Sequence, residues 1–128
     1  MRAAVEAAQD WGTYVTAHAY NPSAMQRAIR AGVKVIDHGQ LADEETVRLM
    51  AEKNTWWSLQ PLTYDADVFA RMTPVSQKKA LQVFAGTENA YRLAKQHNIK
   101  TAWGSDILFD ATAPAPDQDV IALKATQF

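Results

Sequence analysis

Cysteine is absent from the 128 residues. Disulfides, thiolate zinc sites and a cysteine nucleophile are therefore excluded, whatever the redox compartment. Net charge is scarce as well. Thirteen basic residues face 14 acidic ones, which leaves no basic footprint for nucleic acid and no polybasic patch for a membrane surface. No apolar run approaches the roughly 20 residues that a membrane span needs. Residues 1–10 are alanine-rich and amphipathic, without the apolar centre of a signal peptide, and they read as a helix entered partway along. No GxGxxG follows a strand-like run and no P-loop occurs, so the two commonest ligands of open α/β sheets are excluded. No stretch names a compartment. A soluble, cytoplasmic setting is the default expectation, with an upstream signal sequence left open.

What is present is 48% hydrophobic composition, enough for the core of one ordinary domain. Ala4, Val5, Ala8 and Trp11 recur at helical spacing, with Gly12 as a stop. Residues 13–19 are β-branched and aromatic, and predict a strand. Asn21-Pro22 is an N-cap followed by proline, and opens a helix with Ala24, Met25, Ala28 and Ile29 as its apolar stripe. Residues 33–36 predict the second strand. Asp43 caps a helix that buries Val47, Met50 and Ala51, and residues 55–59 predict the third strand. A loop carrying Tyr64, Asp65 and Asp67 follows. Thr73-Pro74 then opens the longest helix, to about His97, with Gly86 expected to weaken its middle. Residues 99–103 predict the fourth strand. The run 111–116 reads as linker, and 117–128 as the start of a short terminal helix. Strands alternating with helices imply a parallel sheet.

Three strands end on residues able to hold a metal ion: His18, His38 and Asp106. Ligands of parallel α/β folds gather at the carboxyl ends of strands. Alternation places His18 with Thr16 and Tyr14, and His38 with Ile36 and Lys34. Asp106 shares a face with Gly104 and Ala102, and Asp37 is expected to point away from His38. If the three faces coincide, two imidazoles and a carboxylate meet at one rim. These are normal donors for Zn²⁺, which lowers the pKa of bound water to about 7, and a carboxylate beside that water can take its proton. Each residue alone has a blander reading, as a satisfied polar group or a turn residue. The common phase of all three is the stronger signal. His97 reads as a solvated helix terminus. Asp65, Asp67 and Asp110 read as loop carboxylates. Trp56, Trp57 and Trp103 read as packing. Tyr20 and Tyr64, on loops at the same rim, are candidates for substrate contact.

The runs Val15-Thr16-Ala17-His18-Ala19-Tyr20, Ala28-Ile29-Arg30-Ala31-Gly32-Val33, Ile36-Asp37-His38-Gly39 and Ala102-Trp103-Gly104-Ser105-Asp106 resemble the amidohydrolase superfamily. They are most similar to its imidazolonepropionase-like and Xaa-Pro dipeptidase-like branch. The resemblance implies a (β/α)₈ barrel with one or two divalent metals, usually zinc. His18 matches the metal histidine at the end of strand five, and His38 the one at the end of strand six. Asp106 matches the strand-eight aspartate, a ligand and proton-shuttling base. Ser105 stands where the family often has threonine. The family's His-x-His pair of strand one and the ligand of strand four have no counterpart among the 128 residues.

A complete barrel takes about 250 residues. The expected architecture for residues 1–128 is thus a partial TIM barrel, the C-terminal half of an amidohydrolase with strands five to eight and their helices. The parent would hydrolyse an amide, peptide or cyclic-amide C–N bond in a small-molecule or dipeptide-like substrate, using metal-activated water, and the fragment alone would be inactive. Its open sheet edges would call for the missing N-terminal half or for self-association. The rival readings are a small non-catalytic α/β binding or interaction module and an inactive remnant.

Overall fold

Four short strands, all parallel, form one sheet in the order β1-β2-β3-β4. They are β1 (Thr16–Ala19), β2 (Val35–His38), β3 (Trp56–Leu59) and β4 (Thr101–Trp103). The helices between and before them are α1 (Arg2–Asp10), α2 (Pro22–Arg30), α3 (Glu44–Lys53), α4 (Ala66–Ala70) and α5 (Pro74–Gln96). This computed structural model describes residues 1–104 and 106. Ser105, Asp110, the side chain of Asp67 and the expected linker and terminal helix of 111–128 lie outside the described residues. The alternation of strand and helix is that expected from the sequence. The strands start one to three residues later than their β-rich runs, because the first residues of each run leave the preceding turn before pairing begins.

Local chemistry sets the helix starts. Asn21 Oδ1 accepts from Ala24 N at 3.0 Å, Asp43 Oδ1 from Thr46 N at 2.8 Å and Thr73 Oγ1 from Ser76 N at 3.2 Å. Each such cap is worth about 1 kcal/mol. Pro22 and Pro74 occupy the first helical turn, where a missing N–H costs nothing. Asp65, expected as a loop carboxylate, accepts from Val68 N at 3.1 Å and so helps to start α4.

Register assigns the two faces of the sheet. His18 lies opposite Asp37, Asp37 opposite Ser58, and Ser58 opposite Ala102, so these four positions share a face. The other face carries Ala17, Ile36 and Trp57, and it packs against the helices. Ile36, Trp57, Met25, Val47, Met50 and Ala90 are fully buried there in one core. Their burial removes apolar surface worth about 1.5–3 kcal/mol for each large side chain. The His18 face stays open: Thr16, His18 and Trp56 are exposed, and Val35, Asp37 and Ser58 partly so. Asp37 therefore belongs to the open face beside His18. The sequence reading took His38 to share the face of His18 and Asp37 to oppose it, whereas the register gives that face to Asp37.

Gly86 also departs from expectation. A Cβ there would overlap the backbone oxygen of Gln40. Its role in α5 is close approach to the loop after β2, which offsets its poor helix propensity.

Candidate metal centre at the strand ends

Strict alternation along β2 would put His38 on the helix face with Ile36, opposite to His18. The backbone breaks that alternation. His38 has φ +74° and Gly39 φ +75°, two consecutive left-handed residues at the end of the strand. A non-glycine residue in this region is held by its surroundings. Here the Trp57 indole Nε1–H donates to the His38 carbonyl at 2.7 Å, and Gly39 lies so close to Trp57 and Met25 that a side chain has no room. The twist turns the buried His38 ring toward β1. His18 Nδ1 and His38 Nε2 end 2.7 Å apart, within hydrogen-bond distance, with ring centroids at 4.7 Å.

Further groups hold the His38 ring. Its Nδ1 lies 2.9 Å from Gln60 Oε1, a buried side chain just beyond β3. Tyr20, just beyond β1, stacks on it with centroids 4.5 Å apart and planes 9° from parallel. Burial raises the Tyr20 phenol pKa above its ordinary value, and the nearby charge of Asp106 raises it further. Asp106 is exposed, at φ +53°, and makes itself felt at Tyr20 across the same rim. Gln40, buried in the turn after His38, donates Nε2 to the Gln60 carbonyl at 3.3 Å, and its Oε1 has no partner among the described residues.

The structure thus brings His18 and His38 together. Asp106 reaches Tyr20 electrostatically, but among the described residues no three His, Cys, Asp or Glu side chains form one metal cage. Tyr64 stands apart, exposed, and packs its ring on Phe69 at 5.1 Å and Phe84 at 6.3 Å. His97, expected to be solvated, is largely covered, and its Nε2 lies 2.6 Å from Glu44 Oε1, tying the end of α5 to the start of α3. The sequence reading overlooked Gln60 and the role of Trp57. A glutamine at a strand end carries no signal by itself, and the Trp57 bond depends on the φ of His38. The donor chemistry fits a borderline divalent cation, since imidazole nitrogen is a standard Zn²⁺ ligand. The two imidazoles supply part of the three or four protein ligands that such a site uses.

A model described as the amidohydrolase family matches residues 1–119. The chain belongs to the amidohydrolase family, a family of hydrolases. Among solved structures it is similar to an amidohydrolase at 39% identity and TM-score 0.77, over 86% of this chain and 28% of that one. A prolidase complexed with N-methylphosphonate-L-proline matches at 35% identity and TM-score 0.76, over 85% of this chain and 28% of the prolidase. A Xaa-Pro dipeptidase with methionine bound in its active site matches at 32% identity and TM-score 0.73, over 82% of this chain and 27% of the dipeptidase. An uncharacterised protein of Mycobacterium tuberculosis is 36% identical over 55 residues, which is 43% of this chain and 15% of that protein. The chain therefore spans less than a third of each of these relatives. Among the described residues no helix is long and apolar enough to cross a membrane.

Proposed function

We propose that this chain supplies strands five to eight of a metal-dependent amidohydrolase barrel that hydrolyses a C–N bond in a dipeptide-like or other small amide. The observation that carries the reading is the pair of imidazole nitrogens 2.7 Å apart at the carboxyl ends of adjacent parallel strands. That end of a parallel sheet is where barrel enzymes keep their chemistry. The similarity to a prolidase and a Xaa-Pro dipeptidase favours a dipeptide-like substrate.

In this reading His18 and His38 would hold a divalent cation, most simply Zn²⁺, with Asp106 as a further ligand. When bound, such an ion lowers the pKa of water to about 7 and polarises the scissile carbonyl. Asp106 accepts the proton of the attacking water and returns it to the departing amine. Tyr20 keeps its phenol protonated over the working range, and so offers an O–H to a substrate oxygen. Tyr64 lines the approach. The remaining ligands come from strands outside this segment.

The test compares the chain with a version extended upstream through the rest of the barrel, measuring zinc content and hydrolysis of a dipeptide panel. The extended protein should bind zinc and turn over, and His18→Ala or His38→Ala should abolish both. Full activity of the short chain would refute the shared site. Unchanged zinc content in both variants would refute the ligand assignment.

A further inference from the structure

We infer that Gln60 is a positioning residue: its side-chain amide holds His38 as the Nδ1–H tautomer and keeps the Nε2 lone pair aimed at His18 and the rim. The inference concerns the imidazole itself. Only its consequence for metal affinity rests on the proposed function.

The amide group of Gln60 has two ends, and the structure distinguishes them. Its Nε2 lies 3.3 Å from the backbone carbonyl of Ser58, and a carbonyl oxygen only accepts. The NH₂ must therefore face Ser58, which leaves Oε1 facing His38 Nδ1 at 2.9 Å. An oxygen at that distance demands a proton on Nδ1. In neutral imidazole the other nitrogen then carries the lone pair. That nitrogen, Nε2, is the one 2.7 Å from His18 Nδ1, so His18 donates and His38 accepts. The reverse amide orientation would set Gln60 Oε1 against the Ser58 oxygen, acceptor against acceptor.

Among the described residues, Gln60 is the group that meets His38 Nδ1. Trp57 fixes the His38 backbone through its carbonyl, and Tyr20 fixes the plane of the ring by stacking. Neither distinguishes the ring from its flipped form, in which a C–H would replace Nδ1. His18 at Nε2 also opposes the flip, but among the described residues only the Gln60 oxygen at Nδ1 demands that the proton sit on that nitrogen. His38 and Gln60 are 3% and 4% exposed, so water has no access to take over that bond. A ligand histidine whose second nitrogen is held in this way is fixed in tautomer and direction, and losing the partner typically costs about 10–100-fold in metal affinity.

The chain contains three histidines, so ¹⁵N labelling of histidine gives three ring systems to resolve. The metal-free protein at about pH 8, where free imidazole is neutral, should show His38 with a protonated Nδ1 and an unprotonated Nε2. Gln60→Met, close in size but without an acceptor, should lose that pattern. Gln60→Glu, which keeps an acceptor oxygen at Nδ1 while losing the amide bond to Ser58, should keep the proton on Nδ1. In a zinc titration Gln60→Met should bind about 10–100-fold more weakly, and Gln60→Glu should stay near the wild type. A wild-type His38 protonated at Nε2 would overturn the assignment, as would an unchanged pattern in Gln60→Met. Should Gln60→Met not fold, the wild-type pattern and the Gln60→Glu variant decide the matter by themselves. A wild type that shows the Nδ1–H tautomer yet binds no zinc would count against the metal reading and leave the role of Gln60 standing.

Discussion

Single residues at the end of β2 determine where the functional side chains meet. Gly39 has φ +75°, and a Cβ there would come within 2.6 Å of Trp57 Nε1. An L-residue pays about 1–2 kcal/mol for the left-handed region alone, and the indole cannot move without releasing the His38 carbonyl. Gly39→Ala should therefore lower stability by at least about 2 kcal/mol in urea denaturation and disturb the His38 ring signals. A variant as stable as the wild type would show that the turn is not under this constraint. Tyr91 offers a second check. Its hydroxyl donates to the Leu59 carbonyl at 3.2 Å, and burial pushes its pKa up to about 12. The phenol of an unfolded chain titrates near 10. The folded value is the higher one, so its stabilising share is complete below about pH 10 and is lost as pH rises toward 12. Urea midpoints measured over that range should fall in the wild type, and Tyr91→Phe should remove that part of the slope. An identical slope in both proteins would contradict the burial of the phenol.

At the scale of elements, the order of strands and helices was legible because caps and apolar stripes are local signals. Asn21, Asp43 and Thr73 each cap the helix that the sequence assigns to them. The faces of the sheet were less legible. Period-two alternation placed His38 with Ile36, and it stops being a guide where φ changes sign, as it does at His38. Asp37, which precedes the break, follows alternation and lies on the open face with His18. Contacts between distant elements were not legible at all. His97 meets Glu44 across 53 positions of chain, and Gln60 meets His38 across 22. Gly86 shows how tertiary approach overrides propensity. In an isolated helix Gly86→Ala would gain about 1 kcal/mol. Here the added carbon would overlap the backbone oxygen of Gln40, which cannot swing aside. Overpacking of this kind typically costs 1–3 kcal/mol, so Gly86→Ala should lower the melting temperature, whereas a higher one would mean that α5 has room to shift.

For the molecule as a whole, the helices cover one face of the sheet and the His18 face stays exposed, with Trp56 43% exposed on it. Each outer strand has one neighbour within the sheet. Exposed strand edges, and Val35 and Trp56 uncovered on the open face, favour pairing with further strands. The chain alone should therefore self-associate in light scattering at micromolar concentration, and the upstream extension should suppress this. A monodisperse short chain would contradict that expectation. The central claim is that His18 and His38 together bind one divalent cation. Its most direct test is a zinc titration of the chain followed through the imidazole NMR signals, with His97, held in its pair with Glu44, as the internal control. The account predicts that the His18 and His38 signals shift together and saturate together while His97 stays in place. Signals that never move, or three histidines responding alike, would contradict it.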